Sequence, residues 1–303
     1  MKFLFNYLIF PGFLFSLFCG GLGWWIERKL SARFQFRVGP PWYQNFIDIL
    51  KLFFKEQVIP TSSYKPLFVS APIVAFSSVL LVSLIITEAL FLRYHSFGMD
   101  LLVTFYLLIL PSLFIILGGF SSSNPLALCG ATREIKLMLS YEFVFITSLV
   151  VVVVKSGGVL NLEGIIEKQI QTHSFLGSPS GFIAFILGLF WLQAKMGLVP
   201  FDIAEAEQEI ISGVFIEYGG PLLGFFKLSR ALLYFVLPLF LILLFWADNL
   251  GWHIIYKYLI IILLISVIKN TNPRLRPKDI VRLFWFFLFP LGLLAIFLAI
   301  LGY

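Results

Sequence analysis

Cysteine is scarce in this chain: Cys19 and Cys129 are its only two. Neither belongs to a CxxC pair or a Cys/His cluster. An iron–sulfur cluster takes about four thiolates, so the chain alone cannot hold one. Histidine is as thin, with His95, His173 and His253 scattered along the sequence. They read as solvent or interface side chains, and a metal site finds no support. There is no glycine-rich phosphate loop and no Ser/His/Asp constellation; Gly118-Gly119 and Gly219-Gly220 read as helix-packing or helix-breaking glycines. Charged residues are 13% of the whole. These absences leave no bond chemistry visible in the chain.

Apolar residues make up the difference. They are 60% of the sequence, with 36 phenylalanines and a mean hydropathy of +0.97, far above a soluble domain. At about 20 residues per spanning helix, 303 residues hold roughly eight spans and their loops. The expectation is all-α: a polytopic membrane protein of about eight transmembrane helices plus a surface amphipathic helix, forming one integral membrane domain over 1–303. The expected spans are Leu4–Ile26, Leu67–Leu92, Leu101–Phe120, Leu137–Val154, Phe182–Val199, Val214–Trp246, Trp252–Ile268 and Leu283–Gly302. The first is too long for a signal-peptide core and lacks a small-residue cleavage site, so it reads as a retained helix.

Basic residues orient the bundle. Of 22 Lys and Arg, 14 fall in the odd-numbered loops and five on the opposite face: Lys2, Arg93, Lys155, Lys168 and Lys257. The positive-inside bias then puts the odd loops in the cytoplasm and both termini outside, in the cell membrane. The net charge of +6 is a topology signal, not a nucleic-acid footprint.

Against this apolar background the polar positions stand out. Asp202, Glu205, Glu207, Glu209 and Glu217 are five of only 16 acidic residues, packed into 16 positions without a Lys or Arg among them. Crowded like charges raise one another's proton affinity, and carboxylates at a membrane crossing read by default as part of an ion or proton path. If 201–212 is helical, Asp202, Glu205 and Glu209 share a face; otherwise the segment is an acidic docking loop for a basic partner. Gly213, Gly219, Gly220 and Pro221 break helix near Glu217, as where backbone lines a cavity. Glu142, at the start of the fourth span, either pairs with a nearby base such as Arg133 or takes part in proton movement. Lys195 either snorkels or holds the acidic cluster ionised, and Lys227 and Arg230 inside the sixth span need partners. Arg28, Lys29, Arg33 and Arg37 follow the first span as interfacial anchors or as a functional rim. Gln44–Lys55 is amphipathic, with Phe46, Ile47, Leu50, Phe53 and Phe54 on one face and Asn45, Asp48, Lys51 and Lys55 on the other.

Taken together, Glu27-Arg-Lys with Arg37-Val-Gly-Pro40, Ala131-Thr-Arg with Ser140-Tyr-Glu142, Pro200-Phe-Asp-Ile-Ala-Glu-Ala-Glu-Gln-Glu209 with Glu217-Tyr-Gly-Gly220, and Asn272-Pro-Arg-Leu-Arg-Pro277 resemble respiratory complex I subunit 1. The motifs occur in the family's order over residues 27 to about 290. After Pro40 the chain departs from complex I, which repeats an Arg/Val-Gly-Pro unit there. Pro41-Trp-Tyr-Gln through Glu56 is more similar to the branch of membrane-bound [NiFe] hydrogenases, formate hydrogenlyase and the sulfane sulfur reductase.

The resemblance implies eight helices with both termini outside and a membrane base for docked subunits. Those partners would be hydrogenase-like large and small subunits on the cytoplasmic side, carrying a NiFe centre and [4Fe-4S] clusters, and antiporter-like membrane subunits within the bilayer. No cofactor is implied for this chain. It further implies that Arg28, Lys29, Arg33 and Arg37 rim a cavity or partner interface, with Arg133 nearby. Asp202, Glu205, Glu207 and Glu209 match the acidic loop, and Glu142 and Glu217 match buried carboxylates of a lateral proton path. In quinone-using relatives the cavity takes a quinone; the altered first loop argues against one here. A stand-alone secondary transporter would need an internal repeat, which is not convincing in this sequence, and a structural anchor would use its acids only to bind a basic face.

Overall fold

The computed structural model describes residues 6–92 and 98–303, apart from the side chains of Leu92, Glu207 and Gln208. Lys2, Arg93 and His95 lie outside the described residues, as does the Glu207 side chain. Among the described residues, seven helices are long and apolar enough to cross a bilayer, and an eighth apolar helix is shorter.

Long apolar stretches in a bilayer must satisfy every backbone N–H and C=O internally, which makes each of them a helix. In chain order the helices are α1 (Phe13–Phe34), the short surface helix α2 (Gln44–Phe54) and α3 (Lys65–Thr87), which runs on through a wider π-helical turn, Glu88–Leu92. α4 (Asp100–Ser121) and α5 (Pro125–Ser156) follow, then the short α6 (Leu162–Gln171) and α7 (Pro179–Lys195). α8 (Gly220–Phe245), α9 (His253–Thr271) and α10 (Pro277–Ile300) complete the bundle. Lipid tails are as apolar as leucine, so helices associate here through close packing and internal polar contacts.

α8 is the axis. It packs against α1, α2, α3, α7 and α9, and Leu232, Val236, Leu237, Phe240, Leu241, Ile242, Leu244 and Phe245 have no exposed surface. On one side α3 lies along α4; on another, α5, α7 and α10 form a triangle, with the Phe145 and Trp191 rings stacked 3.6 Å apart. Gly20 shows how tight the α1–α8 crossing is. A Cβ there would sit 2.2 Å from the Ala231 carbonyl oxygen, so the two backbones approach as only small residues permit.

Loop contacts fix which ends lie together. The Tyr64 N–H donates to Ser121 O at 3.0 Å and the Leu275 N–H to Pro200 O at 3.1 Å, while Gln35 Nε2 donates to Asn270 Oδ1 at 3.0 Å. The four odd loops therefore share one end. At the opposite end the Leu101 N–H donates to Leu160 O, and the Gln169 amide bonds Leu243 O and the Ala247 N–H. There Lys257, 1% exposed, donates to Asp248 Oδ1 at 2.6 Å and to the carbonyls of Trp246 and Asn249.

Several elements differ from the sequence reading. α1 runs on past Ile26 to Phe34, and α5 begins at Pro125 rather than Leu137, which puts Glu142 well inside the helix. α7 stops at Lys195, short of Val199; its 17 residues rise about 26 Å, slightly less than a bilayer core. α8 begins at Gly220, because 213–219 is a 3-10 turn and extended chain whose glycines and following proline cannot sustain helix. The polar face of α2 is not solvated throughout. Asn45 turns inward, accepting from Arg28 Nη1 at 2.5 Å and donating to Gly21 O at 3.2 Å. Phe53 packs on Phe225 of α8, 5.4 Å between centroids; Ile47, Leu50 and Phe54 point outward and are exposed.

Candidate functional site: a charged cavity beneath the acidic loop

The segment 201–219 is largely irregular, with a single turn of helix at Glu207–Ile210, so the one-face register of Asp202, Glu205 and Glu209 does not form. Each carboxylate reaches a different base instead. Asp202 Oδ2 accepts from Arg274 Nη2 at 2.7 Å, in the link between α9 and α10. Glu205 accepts from Arg230 Nη1 of α8 at 2.8 and 2.9 Å. Glu209 accepts from Arg133 Nη1 of α5 at 2.6 Å. Arg133 is thereby taken, and Glu142 does not pair with it.

Glu142 pairs with Lys195 Nζ at 2.5 Å, and Trp191 Nε1 donates to its other oxygen at 3.1 Å. The Lys195 side chain has no exposed surface, so it does not snorkel. Its ammonium lies over the rings of Tyr141 and Trp191, 5.2 and 5.5 Å from their centroids. A buried cation needs such partners to offset its lost hydration.

Two hollows meet at the acidic loop. A broad groove of about 570 Å³, open at the odd-loop end, is lined by Arg133, Asp202, Glu205, Glu209, Arg274 and Arg276. Behind it lies a cavity of about 70 Å³ whose polar lining is Glu134, Lys195, Asp202, Glu205, Lys227, Ser229 and Arg230. Asp202 and Glu205 line both. Asp202 Oδ1 and Ser229 Oγ are buried without a hydrogen-bond partner, and such orphaned atoms mark places where water belongs.

The two shared carboxyls differ in proton affinity. Burial, then the neighbouring Glu205, raises Asp202 above the usual aspartate value, against the opposing pull of Arg274. Burial acts in the same sense on Glu205, but the charges of Arg230 and Lys227 outweigh it and hold this carboxyl below the usual value. The mouth thus pairs a proton-retaining acid with a proton-shedding one, the separation by which acid and base roles are assigned.

The structure does not bring every sequence candidate to this cavity. Glu217, half-buried, lines neither hollow. Its Oε1 accepts from Asn124 Nδ2 at 2.5 Å, and Asn124 caps α5 through the Leu126 N–H. Arg28 is bound to Asn45 and lies 4.0 Å from Asp48, Lys29 is half-buried, and Arg33 and Arg37 are exposed at the end of α1. Four charged residues to which the sequence reading gave no role lie in or near this end of the bundle with buried or paired charges. Glu134 and Arg274 are two. The others are Glu27, 1% exposed, and Lys269, which donates to it at 2.8 Å; Ser31 and Tyr234 donate to the same carboxylate. Glu134 adjoins Arg133, and the charge run there was the available signal. Arg274 was foreshadowed by a basic loop and an acidic loop falling on the same side of the bundle. Among the described residues, no group of three or more His, Cys, Asp and Glu is placed to hold a metal.

The profile of the NADH dehydrogenase family matches residues 7–300. The chain belongs to that family. Its relatives include the H-subunit of NADH-quinone oxidoreductase from Geobacillus sp. (strain WCH70), 34% identical over 297 residues, 91% of this chain and 86% of that protein. The same subunit from Bacillus mycoides (strain KBAB4) is 30% identical over 321 residues, 98% and 94% of the two chains. Among solved structures, a chain of the membrane-bound sulfane sulfur reductase, described as an archaeal respiratory membrane complex, superposes with a TM-score of 0.86. It is 25% identical and covers 94% of this chain and 96% of that one. For this member of the NADH dehydrogenase family, the acidic loop and the cavity behind it are the candidate functional site.

Proposed function

We propose that this subunit is the membrane base of a redox-driven ion-translocating complex, relaying protonation changes from its loop end into the membrane arm. It carries no bond chemistry of its own. The observation that carries the reading is the pair of hollows sharing Asp202 and Glu205, the inner one lined by Lys195, which is ion-paired with Glu142. Buried ionisable groups in a spanning bundle are costly and mark proton or ion routes. Electron transfer in subunits docked at the odd-loop end alters charge or proton demand there; Asp202, Glu205, Glu207 and Glu209 respond, and Glu142 passes the change onward. The odd loops face the cytoplasm and both termini lie outside, as the basic-residue count supports.

Two finer readings concern the docked arm. The first loop, Pro41 to Glu56, favours a membrane-bound [NiFe] hydrogenase, whose partners hold the NiFe centre and [4Fe-4S] clusters, or the related sulfane sulfur reductase. The relatives named as NADH-quinone oxidoreductase favour a quinone-reducing complex. Co-purification with a nickel-containing subunit separates them.

The relay is tested in the assembled complex. Glu142→Gln is expected to abolish redox-driven ion uptake into membrane vesicles while electron transfer to an artificial acceptor continues. Coupled transport at the wild-type rate in that variant removes Glu142 from the path.

A further inference from the structure

Two buried carboxyls of α5 feel the charge of Lys195, which is paired with one of them. In the structure it holds Glu142 at 2.5 Å. Glu134 lies about two helical turns nearer the loop end of α5, roughly 12 Å along the axis, and lines the same cavity as Lys195. It is 8% exposed and makes no hydrogen bond or ion pair with a described residue. The charges that act on it are those of Lys195 on α7, Arg230 on α8, and Glu205 and Asp202 in the acidic loop; Lys227 of α8 faces the same space. Arg230 is committed to Glu205 and to Met196 O.

We propose that Lys195 is a two-seat switch, its ammonium alternating between Glu142 and Glu134 as a proton crosses the other way. This rests on the relay reading above and names the groups that carry its innermost step. A buried carboxyl without a cationic partner is stable only when neutral, so one of the two acids is protonated whenever the lysine serves the other. In the first state Lys195 is paired with ionised Glu142, and Glu134 holds the proton. In the second the proton has left Glu134 and bonded to Glu142 through cavity water, and Lys195 is paired with ionised Glu134. Lysine, two carboxyls and one proton carry the same total charge in both states, so neither leaves an unpaired ion in the bundle.

The parts fit this exchange. Lysine's flexible four-carbon stem carries a compact charge that re-aims by rotamer change. The faces of Tyr141 and Trp191 hold the ammonium in the meantime. Trp191 Nε1 keeps one bond to Glu142 when the lysine leaves. The orphaned Ser229 Oγ and Asp202 Oδ1 seat the waters that a proton needs along the cavity.

The test uses the purified complex in proteoliposomes, with two measurements. Infrared difference spectra on reduction are expected to show one carboxyl gaining a proton as another loses it. Glu134→Gln should delete one band and Glu142→Gln the other. Ion uptake per electron should fall at least about tenfold in Glu134→Gln, the scale of a coupling energy between linked sites, and recover in part in Glu134→Asp. Lys195→Met should uncouple the two bands; if that variant fails to assemble, Lys195→Arg keeps the charge and should slow uptake while the complex stays intact. Wild-type uptake in both Glu134→Gln and Lys195→Arg overturns the switch. If Glu142→Gln alone blocks uptake, the relay stands without it. If Glu142→Gln also pumps normally, the relay itself has failed.

Discussion

Neighbouring carboxyls of the acidic loop should answer neutralisation in opposite ways, because their surroundings shift them in opposite directions. Glu205 is held low, so its contribution to stability is complete above its ordinary value near pH 4.3 and is lost as pH falls through the depressed one. At pH 7, Glu205→Gln leaves Arg230 without its carboxylate and should cost about 1–3 kcal/mol, read as a lower melting temperature in detergent. Asp202 is held high. Its favourable contribution belongs to acid, below about pH 3.9, and is lost as pH rises through the raised value. Asp202→Asn should therefore leave the pH 7 melting temperature unchanged or higher. A melting temperature at pH 7 that falls as far for Asp202→Asn as for Glu205→Gln contradicts the charge balance described for the mouth. The clustering of acids was plain in the sequence. Which acid met which arginine was not, because Arg133, Arg230 and Arg274 come from three separate elements and pairings across 25 to 76 residues leave no periodic trace.

Elements were legible where one principle governed them. Apolar runs located every spanning helix, since a bilayer admits no other backbone solution, but not the more polar turns that carry α1 on to Phe34 and α5 back to Pro125. The stretch between α7 and α8 was governed by competing demands: the helix left open for 201–212 did not form beyond one turn, and α8 begins at Gly220 rather than Val214. Gly213 is a fixed point of that stretch. Its φ is +52°, and a Cβ would lie 1.9 Å from Ala204 O, so only glycine lets the chain fold back under the acidic loop. Gly213→Ala should loosen 201–219 while the spanning helices persist. Faster hydrogen exchange confined to that segment is the expected result, and uniform exchange across the protein contradicts it. The amphipathic pattern of Gln44–Lys55 likewise identified α2 but not its rotation. Asn45 faces inward because Gly21 leaves a carbonyl open to it and Arg28 supplies a second bond, neither of which a hydrophobic face can register.

At the scale of the whole molecule the two ends of the bundle are built differently. The odd-loop end spreads its charges around hollows. Among the described residues, the opposite end holds a buried clasp, Lys257 to Asp248 and two carbonyls. Burial raises Asp248 first, but the Lys257 and backbone hydrogen bonds outweigh it and the carboxyl sits below its usual value. The clasp is complete above about pH 3.9 and is lost only on descending through the lowered value. Asp248→Asn should reduce thermal stability by about 1–3 kcal/mol at pH 7, with the gap to wild type closing in strong acid; a gap constant with pH argues against the clasp. Lys257 was visible in the sequence as one of the five basic residues of the opposite face. Its partner was hidden, because nothing in the chain tells an anchoring loop aspartate from a solvated one.

The long reach of the loop-end pairs has a consequence for biosynthesis. Glu27 waits for Lys269, 242 positions later, and Asp202 for Arg274, 72 positions later. A nascent chain halted after α8 would present both acids at the membrane surface without their counter-charges. Closing this end of the bundle therefore has to wait for the end of α9 and the link that follows it, which supply both counter-charges.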